Sequence, residues 1–177
     1  MITIMSAASA PAFARWPVSL TTERLLLRPV EPADLPAHRR LWTDPEVRRH
    51  LGGPLRAEAV GMRERGCVGL PGLLSVVGRR QQAVLGSVFV EPGARDGRTE
   101  VSYQLLPEHW GRGHAREALA AVLARVPAGV PGTEPVAVTQ EANARSRRLL
   151  EALGAEPAEW FVEWGEPQVL YRLGPRS

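Results

Sequence analysis

One junction near the middle of the chain constrains its fold more than any other feature. Glu100-Val-Ser-Tyr-Gln-Leu105 alternates polar and apolar residues, the period of a strand with one polar face. Pro107-Glu-His-Trp-Gly-Arg-Gly-His-Ala115 follows directly. Beyond it Ala115, Ala118, Leu119, Val122, Leu123 and Val126 recur at the spacing of one apolar helix face. Strand, glycine loop and helix in that order predict an α/β architecture with a binding site at the joint. Gly111 and Gly113 let the backbone turn tightly and leave its N–H groups uncovered. The helix start adds unpaired donors and a partial positive charge, which together suit a pyrophosphate. Arg112 adds a full charge from the loop. A glycine turn that merely packs helix on strand is the plainer reading of the same residues.

The strand before the loop carries a second signal. Glu100, Ser102 and Gln104 share one face, where a strand beneath a packed helix is normally apolar on both sides. A wet cleft is expected there, with Glu100 as a general base acting directly or through water. A solvated or Arg-paired carboxylate is the plainer alternative. Downstream, Asn143 is placed as the N-cap of a further helix, and Ser146 lies one turn inside it, where its hydroxyl could donate a proton. Capping alone accounts for Asn143, and a helix-surface role accounts for Ser146. A dinucleotide fold is also compatible with Gly111-x-Gly113, since Glu134 lies 21 residues beyond Gly113. However, a clear third glycine is missing and the motif follows antiparallel strands.

Elsewhere the pattern predicts a strand at 25–27 and helices over 32–43, from 45 to about 51, and over 55–68. Strands are expected over 72–79, 83–91 and 98–106, with Glu91 to Gly97 as a polar turn. Pro127 and Gly129 end the central helix, and Val136-Ala-Val138 is a strand. The helix after Asn143 stops at Gly154, and strands at 158–164 and 167–173 form a terminal hairpin. Antiparallel strands thus precede a β-α-β crossover, giving a mixed sheet in one domain over residues 19–177, behind a mobile tail of residues 1–18.

Composition removes several classes of function. A single cysteine excludes a disulfide framework and a Cys-based zinc site, and His38, His50, His109 and His114 lack metal-ligand spacing, so no metal is expected. All 22 basic residues are arginine, which excludes a Walker lysine, a Schiff-base lysine and a kinase-type lysine. The net charge of +3 is spread without a long basic run, against nucleic-acid binding. No segment reaches the roughly 18 apolar residues of a membrane span. The first basic residue, Arg15, lies behind the apolar N-terminal stretch rather than ahead of it, against a secretory signal and in favour of a cytoplasmic location.

Taken together, Glu100-Val-Ser-Tyr-Gln-Leu, Trp110-Gly-Arg-Gly-His-Ala-Arg-Glu-Ala118, Asn143-Ala-Arg-Ser146 and Leu153-Gly154 resemble the GNAT superfamily of acetyl-CoA-dependent N-acetyltransferases. The similarity is to the branch of the ribosomal-protein N-terminal acetyltransferases, and Leu20-Thr-Thr-Glu-Arg-Leu-Leu-Leu-Arg-Pro29 and Asp44-Pro-Glu-Val47 share it. The resemblance spans about residues 20–173. It implies a central, mixed, mostly antiparallel sheet with splayed middle strands and flanking helices. It implies acetyl-CoA as cosubstrate, with Trp110, Gly111, Arg112, Gly113, His114 and Ala115 at its pyrophosphate. Leu105 and Leu106 would pair with pantetheine through the main chain, and Asn143 completes the set. Glu100 would be the base and Ser146 the acid for the departing thiolate. Trp110 stands where the family has Gln or Arg, and Ala155 where it has Phe. The implied partner is an amine acceptor, a small molecule or a protein N-terminus, and a homodimer is compatible. The alternative is a GNAT-like module that binds CoA without turnover.

Overall fold

The computed structural model describes residues 19–125 and 134–174. The expected tail, Val126 of the expected apolar helix face and the helix-ending residues Pro127 and Gly129 lie outside them. Eight strands form one sheet in the order β1-β2-β3-β4-β5-β6-β8-β7. They are β1 (Leu20–Thr21), β2 (Leu25–Pro29), β3 (Leu73–Gly78), β4 (Ala83–Arg95), β5 (Arg98–Leu105), β6 (Pro135–Gln140), β7 (Glu156–Glu163) and β8 (Glu166–Arg172). The helices are α1 (Leu35–Thr43), α2 (Pro45–Arg48), α3 (Ala57–Cys67), α4 (His114–Leu123) and α5 (Ala144–Ala152). All neighbouring strands are antiparallel except β5 and β6.

The local chemistry explains where these elements begin and end. Asp44 caps α2 by accepting from the N–H groups of Glu46 and Val47, with Pro45 at the first helical position. That helix stops at Arg48, short of the expected 51, because Gly52 and Gly53 follow in left-handed conformations. The expected turn from Glu91 to Gly97 is instead mostly strand. β4 continues to Arg95 through a register shift around Pro92 and Gly93, since proline supplies no ladder donor there. The turn shrinks to Asp96 and Gly97, at φ 51° and 80°. Asp-Gly with both residues left-handed is a two-residue hairpin turn. β1 was not foreseen; two residues carry no period.

Helices cover both faces. On one, Val101 and Leu105 of β5 pack with Ala118, Leu119 and Val122 of α4 and Leu150 of α5. On the other, Val30, Leu41, Trp42, Val47, Val60, Cys67 and Leu106 form a second core beneath α1–α3. β5 pairs with β6 only through Thr99–Pro135 and Glu100–Val136. β6 keeps an outer ladder to β8 from Val136 to Gln140, and β5 keeps one to β4 from Arg98 to Leu105. The inner edges part, which is the splay expected from the resemblance.

A buried polar chain fixes α1 to the sheet. Arg28 donates two hydrogen bonds to Asp34, at 2.7 and 2.9 Å. Ser75 Oγ donates to Asp34 Oδ2 at 2.8 Å, and His38 Nε2 lies 3.0 Å from Ser75 Oγ. With the hydroxyl proton committed to Asp34, His38 donates from Nε2 and is neutral. Burial would raise the Asp34 pKa, but hydrogen bonds from Arg28, the Glu31 N–H and Ser75 hold it below the usual carboxylate value. Burial holds His38 below the usual imidazole value, against the pull of Asp34.

These shifts set the acid stability. A histidine kept neutral by folding gains its proton on unfolding, so stability should fall as pH drops below the unfolded pKa of about 6.5. Asp34 adds a second loss, as pH falls from the unfolded carboxylate pKa of about 3.9 through its lower folded value. Urea unfolding across pH should show both losses. His38→Gln should shrink the first and leave the second; His109 and His114, also lowered by burial, supply the remainder.

Candidate active site

The site is built at the fork between β5 and β6. Thr99 N–H donates to Glu134 O, so the odd-numbered residues of β5 turn their main-chain groups toward β6. The ladder ends at Glu100, leaving those of Tyr103 and Leu105 without a strand partner. Leu105 C=O accepts from Trp110 Nε1 at 2.8 Å, and Leu106 N–H donates to Leu85 O. Of the two leucines expected to pair with pantetheine, Leu105 therefore keeps its N–H toward the gap, while Leu106 has its N–H in the protein and its side chain in the second core.

At the open end of the fork, Gly111 and Gly113 take left-handed φ values of 71° and 77°. Gly113 is the N-cap of α4 and has no side chain with which to cap the first-turn amides, those of His114, Ala115 and Arg116. Gly111, Arg112 and Gly113 are exposed, whereas the His114 side chain is buried, so His114 has only its main chain to offer a ligand. Arg24, in the turn between β1 and β2, holds the loop from beneath. It donates to Arg112 O at 2.9 Å and pairs with Glu117 at 2.6 Å. A Cβ on Gly113 would lie 3.3 Å from Arg24 Nη2.

The start of α5 forms the opposite wall. Asn143 caps it as expected, accepting from Ser146 N–H at 3.1 Å. Ser146 Oγ lies 2.7 Å from Tyr103 Oη, which joins α5 to β5 across the gap. Burial pushes the Tyr103 phenol up to about 12, so it stays protonated at neutral pH. The guanidinium carbon of Arg145 sits 4.3 Å from the Trp110 ring centroid.

Glu100 stands at the closed end of the fork and on the other face of the sheet. It accepts from Arg95 Nε at 3.0 Å, and Arg95 also pairs with Glu163 at 3.1 Å. Glu91 is its direct cross-strand partner. Burial and the Glu100 charge raise the Glu91 pKa, with Arg63 opposing. The structure thus brings the glycine loop, Trp110, Leu105, Asn143 and Ser146 together at one end, and sets Glu100 about three strand residues away from Tyr103, roughly 10 Å along β5.

Several site residues escaped the sequence. Tyr103 lies on the face that alternation marks as apolar. Arg95 falls in the expected turn, and Glu91 at its junction with the expected strand. The signal for Arg24 was its place beside Thr22, whose hydroxyl also reaches Glu117.

A protein-family model described as the acetyltransferase (GNAT) domain matches residues 24–156. The chain belongs to the GNAT acetyltransferase family. A curated relative, an uncharacterized N-acetyltransferase p20 of Bacillus licheniformis, is 28% identical over 113 residues, covering 59% of this chain. The match spans 64% of that relative's length. Among solved structures, a GNAT-family acetyltransferase from Bacillus anthracis superposes with a TM-score of 0.76 at 19% identity, over 87% of this chain and 96% of that one. The ribosomal-protein-S5-alanine acetyltransferase of Vibrio fischeri gives 0.70 at 18% identity, over 89% and 100%. At these identities the superpositions establish the fold, including the mixed sheet and its flanking helices.

The hydroxyl pair has a measurable signature. Tyr103→Phe and Ser146→Ala should each cost about 0.5–1.5 kcal/mol, the worth of one hydrogen bond. Because both remove the same bond, the double variant should cost less than the sum, by about 0.5 kcal/mol or more. Urea unfolding of the four proteins completes the cycle; strict additivity would show that the hydroxyls do not share a bond.

Proposed function

We propose that this protein transfers an acetyl group from acetyl-CoA to a primary amine. The observation that carries the reading is the fork itself. Its open end has unpaired strand groups beside an uncapped helix start, and its closed end has carboxylates. An extended pantetheine fits the first, with its diphosphate at the amides of Gly111 to Ala115. A cationic amine fits the second.

The reaction divides between the two ends. The amine must lose a proton to expose its lone pair, and the Glu91–Glu100 pair takes it, with Glu100 nearest the fork. The nitrogen then attacks the thioester carbonyl, forming a C–N bond. The Leu105 N–H points into the gap and stabilises the transient oxyanion. The C–S bond breaks, the thiolate takes a proton from the Ser146–Tyr103 pair, and the proton shed by the acylated nitrogen restores that pair through water. Asn143 holds the helix start that positions Ser146. The acceptor lies on the face beneath α1–α3, between the loop held by the His50–Gln140 hydrogen bond of 2.9 Å and the terminal hairpin carrying Glu163. The acceptor is a small-molecule amine or a protein N-terminus, the latter in line with the fold shared with the S5-alanine enzyme.

Calorimetry should show acetyl-CoA binding, and thiol release across a panel of amines should reveal the acceptor class. Gly113→Ala strains a left-handed position and crowds Arg24, so it should weaken acetyl-CoA binding by about tenfold or more. Glu100→Gln should lower kcat with acetyl-CoA affinity nearly unchanged. The acidic limb of kcat/KM should lie above the usual carboxylate range, because the Glu91 pKa is raised, and Glu91→Gln should move it. Absence of acetyl-CoA binding in the folded wild-type protein would overturn the reading.

A further inference from the structure

Arg145 occupies the first turn of α5, on the β6 wall of the fork, while Trp110 belongs to the loop that leaves β5. The 4.3 Å stack of guanidinium on indole therefore spans the mouth of the gap. Trp110 is a fixed platform. Its Nε1 is bonded to Leu105 O, and its ring packs against both hydrophobic cores. Arg145 is exposed and, among the described residues, makes no ion pair, whereas Arg24, Arg28, Arg39, Arg40, Arg95 and Arg98 all do. A cation is thus held by an uncharged aromatic face, beside the uncapped amides of α4, with no protein carboxylate to neutralise it.

We propose that Arg145 is a side-chain ligand of the acetyl-CoA diphosphate, additional to Arg112 of the loop, and that it closes over the cosubstrate from the β6 wall with Trp110 as its resting platform. This rests on acetyl-CoA being the cosubstrate. The helix amides offer only a partial positive charge, about half a unit, against a diphosphate that carries full negative charges. A guanidinium adds a full charge and two parallel N–H donors in a planar fork, which suits phosphate oxygens. An exposed cation–π contact is weak enough to be exchanged for such an ion pair. The stack holds the side chain at the mouth beforehand, so less rotamer freedom is lost on binding. Bound, Arg145 would link α5 to the α4 loop through the ligand, and the wall carrying Ser146 would close on the thioester.

The test compares three ligands on wild type and Arg145→Ala: CoA, dephospho-CoA, and S-acetylpantetheine, which has no diphosphate. Arg145→Ala should weaken CoA and dephospho-CoA equally, by about tenfold or more, and leave KM for S-acetylpantetheine unchanged. Inorganic pyrophosphate should compete with CoA on the wild type and less well on the variant. Arg145→Lys should recover only part of the affinity, since an ammonium lacks the planar fork. Equal losses for CoA and S-acetylpantetheine would mean that Arg145 shapes the cleft, and would overturn the assignment. So would a loss confined to CoA, which would move Arg145 to the 3′-phosphate, or no loss at all. Wild-type protein that binds none of the three removes the acetyl-CoA reading itself, a result distinct from all of these. Because Arg145 is exposed, the variant should unfold in urea like the wild type.

Discussion

Two residue pairs, Thr99 with Pro135 and Glu100 with Val136, join β5 to β6, and the rest of the molecule is arranged around the gap that opens beyond them. A sheet interrupted at its centre leaves main-chain donors and acceptors unpaired where the protein is thickest, a costly arrangement if they are also dry. Here the missing ladder is partly replaced by side chains. Trp110 caps the Leu105 carbonyl, Tyr103 meets Ser146, and Arg145 lies over Trp110. Each contact bridges or lines the gap. Helices α4 and α5 can therefore pack on a split sheet.

The sheet also separates charges. Carboxylates collect on the face under α1–α3, where Arg95 binds Glu100 and Glu163 together. The hydroxyls of Tyr103 and Ser146 lie on the face under α4 and α5. Glu100 and the Tyr103–Ser146 pair are thereby kept apart by the thickness of a strand. The exclusive use of arginine supports this arrangement. Arg28 on Asp34, Arg39 on Glu64 and Arg40 on Glu108 each use two donors of one planar group, a geometry that lysine cannot provide.

Much of this was legible in the chain because the relevant signals are short-range. The alternation from Glu100 to Leu105, the two glycines and the apolar stripe of α4 from Ala115 to Leu123 are each decided within a few residues, and all appear where expected. Asn143 was readable as a cap for the same reason. What the sequence concealed depends on pairing between distant segments. Glu91 faces Glu100 only because the hairpin closes through Asp96 and Gly97, and Pro92-Gly93 disguises the continuation of that strand to Arg95 as a loop. Tyr103 looks like a core aromatic because its hydroxyl partner comes from a helix 43 residues away. The grip of Arg24 on the loop joins residues 88 apart.

Glu100 and Tyr103 are an odd number of residues apart, so they project from opposite sides of β5. The pairing that sets this arrangement is fixed at the β4–β5 hairpin, well outside the fork. Inserting or deleting a single residue at Asp96-Gly97, if taken up by sliding β5 along β4, would send the carboxylate to the α4 side and the phenol to the α1 side while leaving the composition of the cleft almost untouched. Changes of two residues would preserve the parity. The tolerated lengths of a surface turn are thus dictated by the side of the sheet that Glu100 and Tyr103 must face, and a hairpin remote from the fork becomes one of the least negotiable parts of the chain.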